Sequence, residues 1–435
     1  MSLVARFKNP YNFASEATGS TFKGRYNEVQ QLLDTVESGT HAAIYGLQRI
    51  GKTSLVTETM RERMRERSYL ASKVVFVHVD CQKYGTEHAT YKNILNALIR
   101  EIGQQIAPTR AREIDDDLAS VGRRYERGSK LEMLAAFRDL FSRTITSKRK
   151  IVLFLDEFSE LCPAIERSEE LLRRDPAVAM RRHPHEVPVD VDLMHWFSSL
   201  MKASEIQDRL VFVFALRPFM AEYDARKNLQ LLKLTTPITL YHLAEGDAKA
   251  LITEPLKEEI RVEPDGLQHL YFLTAGHPYL IQFMMQRIVD RLRQRKSTAV
   301  TKAYVEEFAE EMAAEGPGYE AQFKVLDSDY SVEEAVRPGV GPRIGKAALY
   351  VMAKFGVDDE RWVASDVVER ELTARGISPA EMYLVTDQLL RARIVEEGVA
   401  GERGYFRICV PLLQRRYIRQ NMYQKYFARH AKLGG

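Results

Sequence analysis

Four stretches of the chain are apolar almost without interruption: His41–Tyr45, Lys73–Gln82, Ile151–Leu155 and Leu210–Leu216. Runs of this length without polar alternation predict strands covered on both faces, and so a parallel sheet with helices around it. The stretch from Thr53 to Arg67 is spaced for a helix. After Thr236-Pro237 the pattern becomes helical as far as about residue 312. Residues 316–342, punctuated by Gly and Pro, predict a linker with some helix in it. Three further helices follow over 344–356, 364–376 and 378–395, each delimited by Gly or Pro, and 394–411 alternates about a Gly-rich turn as a β-hairpin does.

These patterns divide the chain at 1–238, 239–315, 316–342 and 343–435. The fold class is α/β: a parallel sheet, an all-helical domain set over it as a lid, and a C-terminal module whose helices and hairpin are ordered as in a winged helix. Residues 163–190 interrupt the sheet region with prolines and paired arginines at 173–174 and 181–182, and read as a mobile loop. His183 and His185 within it lack the Cys or carboxylate companions of a metal site.

Composition alters this picture little. The 435 residues are 45% hydrophobic and 28% charged, with a net charge of +3. No run of eighteen apolar residues predicts a membrane span, and the N-terminus is too weakly apolar for a signal peptide, so the expectation is cytoplasmic. Cys81, Cys162 and Cys409 are isolated, without disulfide or metal spacing. The charge is uneven, because after Glu402 only basic residues occur. Arg403, Arg407, Arg415, Arg416, Arg419, Lys425, Arg429 and Lys432 are interleaved with Tyr405, Phe406, Tyr417, Tyr423, Tyr426 and Phe427. Such a block suits duplex DNA, an acidic protein surface, or a solvated face over an aromatic contact, and these three readings stay open.

The chemistry begins directly after the first apolar run. Gly46-Leu47-Gln48-Arg49-Ile50-Gly51-Lys52-Thr53 matches G-x-x-x-x-G-K-[ST] at every required position, between a predicted strand and a predicted helix. Glycines let consecutive N–H groups turn toward phosphate oxygens. Lys52 reaches the β- and γ-phosphates, Thr53 supplies a hydroxyl to Mg²⁺, and the loop and first helical turn (Gln48, Arg49, Ile50, Gly51, Ser54) complete the cradle. The Ile151–Leu155 strand ends in Asp156-Glu157, placing a carboxylate to hold Mg²⁺ and a second one to orient the attacking water. Arg217, at the end of the Leu210–Leu216 strand, is positioned to sense the γ-phosphate. Asp80 ends another strand, and either a structural or a site role remains open for it.

The loop, the Phe154-Leu155-Asp156-Glu157 strand end and Arg217 together resemble the AAA+ and STAND superfamilies of P-loop ATPases. Phe22, Gly24, Arg25 and Glu28 resemble the N-terminal box of those families, which implies a place beside the adenine. Gly276, His277 and Pro278 resemble the G-x-P motif of STAND ATPases, which implies the start of a lid helix with Pro278 near the base. The resemblance covers roughly residues 10–312; Arg226 offers an arginine finger only in a weak context and the lid motif carries Gly-His-Pro in place of an obvious sensor arginine, which favours a STAND-type switch over a stable ring.

It implies Mg-ATP bound and slowly hydrolysed, with ATP rather than GTP resting on the resemblance alone. It also implies a nucleotide-dependent switch that controls lid and winged-helix position, self-assembly and recruitment of a separately encoded effector protein. The alternative is a DNA-associated ATPase of origin-binding or transposition-targeting type that grips duplex DNA through the winged helix and basic tail. On the third helix of that module Glu381, Asp387, Gln388, Arg391 and Arg393 are the candidates for reading bases, and Arg403 and Arg407 on the wing suit phosphates.

Overall fold

The computed structural model describes residues 8–63, 66, 74–81, 150–163, 165–166, 170, 191–203, 209–256, 259–314, 319–327, 342–356, 360–401 and 403–430. Packing divides the chain into two units. One comprises residues 26–45 and 55–239; the other comprises residues 1–25, 46–54 and 240–435.

The first unit is built on a five-stranded sheet. Its strands are β1 (His41–Tyr45), β2 (Val74–Asp80), β3 (Lys150–Asp156), β4 (Leu210–Leu216) and β5 (Thr235–Thr239), in the order β2-β3-β4-β1-β5. Every pairing is parallel. The uninterrupted apolar runs have their physical cause here: all seven residues of β4 are buried, as are six of seven in β3. α1 (Tyr26–Ser38) buries Val29, Leu32, Leu33 and Val36 and packs on β1 and β5. Phe158, Phe197, Phe212 and Phe214 interlock edge to face on one side of the sheet, with Phe197 coming from α3 (Val191–Met201). α4 (Met220–Arg226) follows β4.

Sequence pattern did not foretell β5. Its residues Thr235-Thr236-Pro237-Ile238-Thr239 bury only Ile238, as a strand at the sheet edge needs no apolar run, and Pro is tolerated at such an edge. The predicted helix over 53–67 also differs. α2 covers only Lys52–Thr57 and continues as a π-helical stretch over Glu58–Arg63; residues 64, 65 and 67 lie outside the described ones.

The second unit carries α5 (Glu245–Thr253), α6 (Pro264–Thr274), α7 (Pro278–Arg295) and α8 (Lys302–Ala313). The expectation of an all-helical domain is corrected by one small element. β6 (Arg261–Val262) and β7 (Ala299–Val300) pair in parallel and are too short to leave a periodic signal. α9 (Glu320–Asp327) falls in the segment expected as a linker, most of which lies outside the described residues, as does most of the 163–190 insertion with His183 and His185.

Farther along are α10 (Pro342–Phe355), β8 (Val363–Ala364), α11 (Ser365–Thr373), α12 (Pro379–Arg391), β9 (Val395–Ala400) and β10 (Arg403–Ile408). β10 pairs antiparallel with both β8 and β9, giving the helices-then-hairpin order of a winged helix. α12 starts where a capping box dictates: Ser378 Oγ accepts from the Glu381 N–H at 3.3 Å and Glu381 Oε2 from the Ser378 N–H at 2.8 Å, with Pro379 in the first turn. The chain closes with α13 (Pro411–Arg419) and α14 (Met422–Arg429). One continuous apolar core runs from Leu251 and Phe283 to Leu349, Val385 and Leu413, so the helical domain and the C-terminal module share their interior.

Candidate functional site

The chain leaves β1 directly into the glycine loop. A Cβ at Gly46 would lie 2.6 Å from Ile50 Cγ2 and 3.1 Å from the Leu240 carbonyl oxygen, so no larger residue fits there. Gly51 adopts φ 104° and Arg49 φ 61°, the left-handed bends that turn the loop back on itself. Lys52 is buried, and its ammonium donates to the carbonyls of Gly46 and Leu47, each at 3.0 Å. The lysine is thus held inside the curve of the loop, where its charge faces anything cradled there. Ser54 Oγ accepts from the Ala17 N–H at 3.0 Å, tying the N-terminal segment to α2, and Thr53 precedes it in the first turn.

The carboxylates come from the ends of β2 and β3. Asp156 closes β3 and is buried; its Oδ1 accepts from the Glu157 N–H at 3.0 Å and its Oδ2 lies 3.3 Å from His78 Nε2. Glu157 has φ 49°, a left-handed turn that redirects the chain at the strand end. Asp80 is the register partner of Asp156 across β2 and β3. Burial first, then the charges of Asp156, Asp80 and Glu157, push the Cys81 thiol well above its ordinary range. His78 was not singled out in sequence; the alternation in Val77-His78-Val79-Asp80 puts it on β2 opposite Phe154, with rings 4.8 Å apart.

Hard oxygen donors such as Thr53 and Asp156 suit Mg²⁺, which keeps much of its shell for water and phosphate. Among the described residues no group of three His, Cys, Asp or Glu forms a metal site by itself.

Arg217 follows β4, the strand between β1 and β3. It is buried, its Nη2 lies 2.5 Å from Glu160 Oε1, and its N–H donates to Ser159 Oγ at 2.8 Å. It is therefore fixed by the turn that follows Asp156-Glu157 and is not a solvent-facing strand end. Arg226 pairs with buried Glu166 at 3.0 Å, a partner it shares with Lys227.

In the other unit, Arg25 (φ 65°) donates to the Ile50 carbonyl at 3.5 Å and to the Tyr241 carbonyl, joining the N-terminal box, the glycine loop and the chain entering α5. Gly24 backs onto the Asp247 side chain, and Phe22 is half-buried beside it in sequence. Pro278 opens α7. Its neighbour Tyr279, unforeseen in sequence, lies under the Arg49 guanidinium at 5.8 Å. Gly276 has φ 73°, and a Cβ there would sit 2.4 Å from the Leu243 carbonyl oxygen, so this turn requires glycine.

The rings of His277 and His242 lie tilted with centroids 5.3 Å apart, and both line, with Leu47 of the glycine loop, a small cavity that Arg393, Ile394 and Ile408 also line. Burial, then the Arg25 charge, lowers His242 to about 4. Burial, then His242 and Arg25, lowers His277 well below its ordinary value.

The residues expected to read or grip DNA are largely engaged within the chain. Glu381 caps α12, Gln388 is buried, and Asp387 pairs with Arg391 at 2.9 Å. Arg393 lies over Tyr241 at 4.0 Å, and Arg407 pairs with Glu396 at 2.9 Å. Arg415 and Arg419 bridge to Glu306 and Glu310, while buried Arg416 donates to the Met312 carbonyl at 2.9 Å and lies 4.4 Å over Phe323. Tyr417 and Tyr426 pack edge-on against Tyr350. Arg403 stays exposed on the wing.

A glycine loop after β1, paired carboxylates at the end of β3 and a buried arginine after β4 define the class as an AAA+ P-loop ATPase, an ATP-hydrolysing enzyme. Residues 21–177 match the AAA ATPase domain family. The fold is shared with the ORC2 protein of Aeropyrum pernix, solved as ADPNP–ADP complexes, at 13% identity over 96% of this chain and 98% of that one, with a TM-score of 0.58. It is also similar to a Walker-type ATPase of Pyrococcus abyssi, at 11% identity over 94% and 99% of the two chains, with a TM-score of 0.56. The sequence has no match among curated proteins. No helix of the described residues is long and apolar enough to cross a membrane.

Proposed function

We propose that the chain is a Mg-ATP-driven switch. Lys52 and the loop N–H groups hold the phosphates, and Thr53 and Asp156 hold Mg²⁺. Glu157 orients water and Arg217 reports the γ-phosphate. Phe22, Gly24, Arg25 and Pro278 border the base. The observation that carries this reading is Leu47: a residue of the glycine loop lines one small cavity together with His242 and His277 at the start of the helical domain and Ile394 and Ile408 of the C-terminal module. A loop that tightens on a γ-phosphate shifts Leu47, and with it a cavity that both modules line, so nucleotide state biases their position. Self-assembly and recruitment of a separately encoded effector are the outputs that suit such a switch.

A DNA-associated reading is supported by the exposed Tyr383 on α12 and by exposed Val399 and Arg403 on the wing. Steady-state ATP turnover with and without duplex DNA, at low and moderate salt, separates the two. Slow turnover indifferent to DNA supports the self-contained switch; strong, salt-sensitive stimulation supports the DNA-associated reading. Absence of any turnover overturns both.

A further inference from the structure

A cavity of about 550 Å³ opens where the helical domain meets the C-terminal module, within one packed unit. Tyr241 and Phe272 line it from the first, and Arg361, Arg393, Glu396 and Arg407 from the second. Its charge is unbalanced. Glu396 is already paired with Arg407 at 2.9 Å. Among the described residues Arg361 donates to neutral acceptors, the Ile408 carbonyl at 2.9 Å and Gln414 Oε1 at 3.1 Å. Arg393 rests on the Tyr241 ring without a carboxylate partner among the described residues. Burial first, then the Arg407 charge, pushes Arg361 down to about 10, the response of a guanidinium short of a counter-charge. Among the described residues, Arg361 Nε, Arg407 Nε and His242 Nε2 of the lining are buried without a hydrogen-bond partner. Arg361 and Arg393 both sit in left-handed backbone, at φ 62° and 52°, a conformation that ordinary residues hold chiefly where a site demands it.

We propose that this cavity is a second ligand site, separate from the glycine loop, for a phosphorylated small molecule of nucleotide size. Arg361 and Arg393 hold the phosphate, and the part-exposed rings of Tyr241 and Phe272 meet a planar group. The volume lies within the usual range of small-molecule sites, and unpaired guanidiniums are suited to phosphate oxygens.

The test counts ADP bound per full-length chain by calorimetric titration of wild type, Lys52→Ala, the Arg361→Asn/Arg393→Asn pair, and all three changes together. Asn accepts the left-handed backbone at 361 and 393, and unchanged melting of the variants confirms folding. The expectation is two ADP in wild type, one in each of the next two proteins and none in the last. One ADP in wild type, removed by Lys52→Ala, overturns the second site and leaves the loop assignment standing. One ADP removed by the pair but kept by Lys52→Ala supports the second site and overturns the loop assignment. Should the pair unfold, Arg393→Asn alone, at an exposed side chain, is expected to weaken ADP binding to the Lys52→Ala protein at least tenfold; unchanged affinity overturns the proposal.

Discussion

Arg415 Nη1 lies 2.7 Å from Glu306 Oε1, and the same guanidinium reaches Glu310 at 3.2 Å. This bridge joins α13 to α8, and hydrogen bonds from His269 and Arg415 outweigh burial to lower the Glu306 carboxyl below its ordinary range. Arg415 and Arg419 of the basic segment are thereby engaged by the helical domain. Removal of the Arg415 and Arg419 charges is expected to cost about 1 kcal/mol, as part-exposed pairs do. Arg416→Ala is expected to cost about 2–4 kcal/mol, because it strips a buried carbonyl of its donor and Phe323 of its stacked cation. Urea denaturation of the variants checks both. An Arg416→Ala protein as stable as wild type contradicts the docked arrangement.

In the proposed function the ammonium held inside the loop is the charge that phosphates meet, so Lys52→Ala is expected to abolish ATP binding. Fluorescent-nucleotide titration reads this directly, and wild-type affinity in the variant refutes the loop assignment.

Glu157→Gln keeps shape and hydrogen-bonding capacity but removes the carboxylate proposed to orient water. ATP affinity is expected to stay within a few-fold while turnover falls about 10²–10⁴-fold. Single-turnover kinetics separates the two effects, and turnover at the wild-type rate removes Glu157 from its role.

Stability is expected to depend on pH through His242. Its value of about 4 in the folded chain lies below the ordinary 6.5, so the unfolded chain takes up the proton first as pH falls. Stability is therefore complete above about pH 6.5 and declines toward pH 4, by about 3 kcal/mol for this group alone. His277, lowered in the same direction, adds to the decline. Denaturant midpoints between pH 7 and 4 are expected to fall less steeply in His242→Asn than in wild type; equal slopes contradict the buried neutral pair.

Gly276→Ala puts a methyl group against the Leu243 carbonyl in a left-handed turn. A loss of about 2–4 kcal/mol is expected from the overlap and strain combined, seen as a lower melting temperature.

The buried strands and the glycine loop were legible because each leaves a local signal: an unbroken apolar run, or fixed residue types at fixed spacing. Asp156 and Glu157 were legible because they end such a run. β5 was not, since an edge strand of Thr and Pro has no reason to be apolar. Tyr279 and His78 were missed for a different reason, as their placement depends on partners 230 and 78 positions away, Arg49 and Asp156, which no window along the chain displays. The engagement of Arg415 and Arg419 was not legible because the acids that take them, Glu306 and Glu310, lie about a hundred positions earlier.

Pro237 carries a consequence for how copies of the chain can meet. It sits on the outermost strand, β5, and its carbonyl is taken by Gln31 Nε2 at 3.2 Å, so this residue faces away from β1. A residue's amide and carbonyl point to the same side of a strand, and proline has no amide hydrogen. At its midpoint the outer rim of β5 therefore offers a newcomer neither donor nor open acceptor. Growth of the sheet from one molecule into the next is blocked at this rim, and fibre-like polymerisation through β5 is disfavoured from the outset.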